Sequence, residues 1–318
     1  MNNFKKIGLT ALAASLVSVS AYAGEMSVAG GASVTLKNNS GTDGGKSITM
    51  GNQLTFSGGG ELDNGLNVAL SFVLDHGDNV ASGFDSHSLT ISSDSLGSIT
   101  VAGDGTGNAQ SALDTTAAGD IWDNGFTHGA AVAYVGMGGS DAANNKSVNY
   151  TLPTIMDDLS VAVSYSGQTT ALNSTTALGV TYTGVDGLSV SYGVGEAGST
   201  TANTAADVTT MKASYAIGSF TAAVSNTEND LTGTGTDEEM SSFKLSYTIT
   251  DDLSVSYGED THETAGQSVD EEFEMMSVSY TTGGMTLTAA TYEANGLGNN
   301  AGKAGAAERW KLGASFAF

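Results

Sequence analysis

The stretch DDLSVSYGED at residues 251–260 decides how the chain is read, because it recurs. Residues 157–165 read DDLSVAVSY, residues 186–192 read DGLSVSY and residues 64–70 read NGLNVAL. Each copy starts at an acidic or Asn/Gly corner and continues with an apolar residue at every second position. Leu159, Val161, Val163 and Tyr165 alternate in this way, as do Leu66, Val68, Leu70, Phe72 and Leu74. Successive side chains of a strand point to opposite sides, so a period of two marks a strand with one apolar and one polar face.

The spacing of the copies extends the reading to the whole chain. The first apolar residues after the corners are Leu66, Ile99, Leu159, Leu188, Phe220, Leu253 and Met285. They are separated by 33, 60, 29, 32, 33 and 32 residues, and a further 33 lead to the terminal Phe318. A second alternating strand precedes each corner, as in Phe243, Leu245, Tyr247 and Ile249. The unit is therefore strand, tight turn, strand, longer loop. Turns at 63–65, 95–97, 153–158, 184–187, 218–219, 250–252 and 282–284 carry the Gly, Asp, Asn or Pro that hairpins favour. Connections such as 228–239 and 259–270 are long, polar and acidic. Seven short turns, with both chain ends on their side, predict an all-β, 16-stranded antiparallel barrel. Short turns at one end and long loops at the other are the pattern of outer-membrane barrels. The run AAVAYVG at 130–136 is assigned to a loop, since counting it would make the strand number odd. That insertion accounts for the step of 60.

Residues 1–23 read as a secretory signal peptide: Lys5 and Lys6, an apolar run from Ile7 to Val19, and the small-residue site Ala21-Tyr22-Ala23. Residues 24–318 then form the barrel. No later run approaches the ~20 apolar residues of a membrane helix. With no cysteine, the chain forms no disulfide. It has 10 basic and 34 acidic residues; without the signal, 8 basic remain and the net charge is −26. Such a surface repels nucleic acid and favours cations.

Charge and aromatic placement give the strands an inside and an outside. Lys37, Lys212, Lys244, Arg309 and Lys311 all have the parity opposite to the apolar set. A basic side chain facing the bilayer midplane would cost about 2–4 kcal/mol, so the apolar face meets lipid and the polar face lines water. Tyr150, Tyr182, Tyr215, Tyr247 and Tyr280 fall near the turn-side ends of five successive descending strands, every second strand of the barrel, as an interfacial girdle does. Most polar-face residues are Ser, Thr, Gly and Asn, and a barrel of this size leaves an aqueous channel.

With the corner phrases, the segment KSVNYTLPTIMDDLSVAVSY (146–165) and the terminal KLGASFAF (311–318), the whole mature chain resembles a Gram-negative general-diffusion porin, particularly those of alphaproteobacteria. The resemblance implies a homotrimer in the outer membrane, in contact with its lipids and lipopolysaccharide, passing ions and small hydrophilic solutes. It also implies an inward-folded third loop, here about 104–146, with acids facing basic wall residues. Constriction candidates are then Asp104, Asp114, Asp120, Asp123 and Asp141 on the loop and Lys212, Lys244, Arg309 and Lys311 on the wall. Porins end on an aromatic residue read by the barrel-assembly machinery, and Phe318 matches. The trimer contact is expected on the first five strands, residues 25–104, where no Tyr or Trp occurs, completed by the last strand. A single arginine, Arg309, departs from the arginine-rich wall of the family.

Other chemistries find little support. His76, His87, His128 and His262 lack metal-site spacing, and no Ser/His/Asp set is evident, so no enzyme is expected. GDGTGN at 103–108 is an incomplete phosphate-loop pattern with no helix after it. The runs Asp237-Glu238-Glu239 and Asp270-Glu271-Glu272 either bind loop calcium through oxygen ligands or are simply solvated. A cation-preferring diffusion channel without cofactor is the leading expectation. A substrate-specific channel stands beside it, and a secreted acidic adhesin or surface-layer protein is the rival of another class.

Overall fold

The computed structural model of the chain describes residues 25–38, 45–75, 85–104, 107–113, 116–123, 126, 147–167, 174–197, 206–231, 236–301 and 305–318. The signal segment and the AAVAYVG run lie outside the described residues. The first eight strands are β1 (Glu25–Asn38), β2 (Lys46–Glu61), β3 (Asn67–Asp75), β4 (Ser86–Ser93), β5 (Gly97–Asp104), β6 (Ser147–Thr151), β7 (Leu159–Ser166) and β8 (Thr175–Val185). The second eight are β9 (Leu188–Ala197), β10 (Ala206–Ile217), β11 (Phe220–Leu231), β12 (Glu238–Thr248), β13 (Leu253–Thr264), β14 (Glu271–Thr282), β15 (Met285–Asn295) and β16 (Ala307–Ala317). Each pairs antiparallel with its chain neighbours, and β1 also pairs with β16, closing a barrel. All seven hairpin turns fall where corner chemistry places them. At the β8–β9 turn Gly187 has φ 76°, and an added Cβ would sit 2.3 Å from Ala216 O, so the position requires glycine.

Register explains why the corner phrase repeats. From β5 to β13 the leading apolar residue of each upward strand faces the tyrosine of a downward strand, as in Leu159 opposite Tyr182, Phe220 opposite Tyr247 and Leu253 opposite Tyr280. Rings and aliphatic chains thus share one level near the short turns; the Phe220 and Tyr247 centroids are 4.6 Å apart. Cross-strand aromatic pairs of this kind contribute roughly 0.2–1 kcal/mol each. Val163, Val190, Val224, Leu245, Val278 and Leu312 continue the exposed outer band.

The inner face is less uniformly polar than the composition suggests. On β14, Phe273 and Met275 are buried within the barrel while Glu272, Glu274 and Met276 are exposed outside. These inward apolar residues join Ile121, Phe126, Tyr292 and Leu297 in one cluster. The barrel's core is therefore in its lumen, where β14 and β15 meet residues of the third loop, the connection between β5 and β6.

Candidate functional site

The third loop's described residues run along the polar face of the wall, and wall side chains hold Ala109, Gln110, Ala117, Ala118 and Ile121. Ala109 N–H donates to Ser164 Oγ on β7 at 2.9 Å, and Gln110 Nε2 donates to Thr210 Oγ1 on β10 at 2.9 Å. Ala117 and Ala118 N–H donate to Ser225 Oγ on β11 and Ser242 Oγ on β12, at 2.9 and 2.8 Å. Ile121 N–H donates to Asp260 Oδ2 on β13 at 2.8 Å. A short alternating serine pattern thus supplies acceptors at the spacing of neighbouring strands. Inward glycines make room: a Cβ on Gly179 would meet Ala109 O at 2.2 Å, and one on Gly258 would meet Ala118 Cβ at 2.9 Å. Phe126 finishes the contact, its ring 5.6 Å from that of Phe273 and 5.4 Å from the Arg309 guanidinium.

The predicted loop acids fall unevenly on this path. Asp120, half-buried with φ 53°, accepts a 2.9 Å hydrogen bond from Thr116 Oγ1 through Oδ1. Asp104 ends β5 opposite His87, and Asp123 ends the short 3-10 turn Ile121–Asp123. Asp114 and Asp141 lie outside the described residues. Residues 105 and 106 of GDGTGN lie outside the described residues; at its end Asn108 Oδ1 accepts from Gln110 N–H at 2.9 Å, making a turn at the loop's entry.

Two basic groups emerge instead of one. Lys212 and Lys244 sit on β10 and β12, the strands that carry the loop. Arg309 and Lys311 sit on β16, where closure sets Lys37 of β1 directly opposite Lys311. With Tyr292, Thr35 and Thr49 these three cations line a cavity of about 150 Å³. Lys37 is the constriction candidate that sequence reasoning omitted; its inward parity was legible, but its partner lies at the other end of the chain. Lys46, at the start of β2, takes the outward parity, with Nζ 5.9 Å from the Trp310 ring.

Acids and a histidine also gather inside the barrel. His262 Nδ1 is 3.2 Å from Glu271 Oε2, and its Nε2 is 4.0 Å from Glu238 Oε1. Glu271 Oε1 further accepts Gly298 N–H at 2.6 Å, tying the loop after β15 to β14. The two acidic runs do not converge as calcium ligands. Strand alternation turns Glu238 and Glu271 inward, buried, and their neighbours Glu239 and Glu272 outward. Among the described residues no group of three or more His, Asp or Glu is placed to hold a metal ion.

Comparison with known proteins agrees with this architecture. Salmonella typhi OmpF, in complex with daunomycin, superposes with a TM-score of 0.71 at 13% identity, covering 93% of this chain and 98% of that one. Vibrio cholerae OmpT in its trimer form gives 0.68 at 17%, covering 93% and 100%. An anion-selective porin from Comamonas acidovorans gives 0.67 at 16%, covering 92% and 100%. No curated protein sequence matches the chain. A family model described as Gram-negative porin matches residues 8–318. Together with the closed sixteen-stranded barrel, that match shows that the chain belongs to the Gram-negative porins, channel proteins of the outer membrane.

Proposed function

We propose that the barrel is a passive, cation-preferring channel for ions and small hydrophilic solutes, without catalytic chemistry. The observation that carries this is the division of the lumen. The described part of loop three and the acids Asp120, Asp260, Glu238 and Glu271 occupy the wall from β7 to β14, where only Lys212 and Lys244 stand among them, while Lys37, Arg309 and Lys311 are gathered at the β1–β16 seam. Carboxylates in a narrow, low-dielectric passage concentrate cations. A fold that also serves the anion-selective Comamonas porin leaves the sign of selectivity to such side chains. The test is the reversal potential of a planar bilayer in a KCl gradient, expected on the cation side. Asp114→Asn, Asp120→Asn and Asp123→Asn together should weaken it; an anion-selective or unselective wild type defeats the reading.

The channel acts as a homotrimer, a reading supported by the trimer form of Vibrio cholerae OmpT. Export through residues 1–23 precedes capture of Phe318 by the barrel-assembly machinery, and the finished barrel sits among outer-membrane lipids and lipopolysaccharide. A substrate-specific channel is the second reading. The Lys37, Arg309 and Lys311 cavity favours it, because three clustered cations recognise an anionic solute group. Block of KCl current by millimolar organic phosphate, absent in Lys311→Gln, would distinguish the two.

A further inference from the structure

Register places four carboxylates in one line on the outside of the barrel. Glu259 of β13 faces Glu274 of β14, which faces Glu293 of β15, which faces Glu308 of β16. All four are exposed. Like charges directly opposite each other oppose strand pairing, and near a lipid surface they are poorly screened. Among the described residues no Lys or Arg forms a salt bridge with them, and Lys46 approaches only the β16 end, above Trp310.

The row one pair below is a second, separate feature. Tyr257, Met276, Thr291 and Trp310 stand in the same register, followed by Val255, Val278, Ala289 and Leu312. These rows line an outward groove of about 690 Å³. The small Ala289 and Thr291 between larger neighbours form its floor. A flat apolar band needs only bulk lipid; a groove topped by four facing carboxylates, of which Glu259 accepts a hydrogen bond from the Tyr257 hydroxyl, selects among lipids.

We propose that this groove docks a membrane amphiphile with a positively charged, amine-type headgroup. Its acyl chain lies on Val255, Val278, Ala289 and Leu312, and its headgroup sits at the Glu259–Glu274–Glu293–Glu308 line. Charge complementarity commits the occupant: a phosphate headgroup would meet four carboxylates, whereas an ammonium offsets their mutual repulsion and hydrogen bonds to them. The apolar groove supplies area that a soluble cation would not use. Nothing in the proposal depends on which solutes the lumen passes.

The protein carries its own reporter, because its two tryptophans are Trp122 on the third loop and Trp310 in the groove. A Trp122→Phe barrel is reconstituted in phosphatidylcholine vesicles doped with brominated-chain lipids bearing a trimethylammonium, phosphocholine or phosphoglycerol headgroup. Bromine quenches tryptophan on contact, so quenching of Trp310 reads occupancy of the groove. The cationic lipid should quench at roughly three- to fivefold lower mole fraction than the neutral one, the scale of one exposed charge pair. Glu274→Gln with Glu293→Gln should abolish that preference while leaving quenching by brominated phosphocholine unchanged. A Trp122→Phe/Trp310→Phe barrel should lose the signal, and heat-modified gel migration confirms that each variant is folded. Equal quenching by the three lipids overturns the proposal, as does a preference that survives the double Gln variant. Preference for the phosphoglycerol lipid that needs calcium and disappears with a chelator also overturns it, in favour of a cation-bridged contact. Failure of every lipid to quench overturns it too, placing a neighbouring subunit over the groove.

Discussion

Asp260 shows how much one inward side chain carries. It is 1% exposed, on β13, and its Oδ2 accepts the Ile121 amide at 2.8 Å. Asp260→Ala leaves that buried N–H without an acceptor, a cost of about 1–3 kcal/mol. The expected result is a larger and noisier single-channel conductance, with Asp260→Asn, which keeps an acceptor oxygen, near wild type. Conductance identical in all three would show that Asp260 does not hold the loop. Phe318 gives a second case. Its backbone pairs with Gly30 in both directions, at 2.7 and 3.0 Å, and its ring lies where a Gly30 Cβ would be, 2.3 Å from Cε2. Gly30→Leu should therefore displace the ring and lower the temperature at which the folded band converts on a gel. An unchanged transition would mean that the ring seats elsewhere at no cost. Phe318 announced itself by sequence position; its seat did not, because a glycine in a strand gives no sign of what lies over it.

At the scale of elements, the third loop is secured by strands rather than by its own structure. Its described part contains only two 3-10 turns, Ser111–Leu113 and Ile121–Asp123, which are too short to stand alone. Ser164, Ser225 and Ser242 each take one loop amide. Replacing all three with alanine should open the loop to added protease while the far-ultraviolet strand signal stays intact. Resistance equal to wild type would assign the anchoring to the Phe126–Phe273 contact instead. The strands were legible because alternation is local, and the loop's path was not, because its hydrogen bonds to the wall join residues up to 139 positions apart. Outward residues differ around the wall as well. Tyr182, Tyr215, Tyr247 and Tyr280 mark β8, β10, β12 and β14, whereas β1 to β5 carry no Tyr or Trp. A single cysteine at Val68 on β3 should thus cross-link subunits with a short reagent, and one at Val190 on β9 should not. The reverse pattern would move the trimer contact.

For the whole molecule, closure is the decisive event. β16 can complete the barrel only by pairing with β1, and that seam brings Lys37 to Lys311 and Gly30 to Phe318. Deleting Phe318 should leave export intact while reducing the yield of heat-modifiable barrel in the outer membrane. A normal yield of truncated barrel would remove its role as assembly signal. The core shares this dependence on closure: Ile121, Phe126 and Phe273 find one another only once strands surround the loop.

The chain's own pattern determined strand number, turn positions and the sorting of charge, because each follows from period-two alternation and turn chemistry read over a few residues. It also determined that the face with Val163, Leu245 and Leu312 meets lipid, since the bilayer penalises the alternative. Only the tertiary structure decided which acids and bases share a site. It separated Lys212 and Lys244 from Arg309 and Lys311, added Lys37, and split the runs at 237–239 and 270–272 across the wall. It aligned Glu259, Glu274, Glu293 and Glu308 into one line. The physical reason is register: parity says which face a side chain takes, but its neighbours on that face are fixed by how far each strand slides along the next.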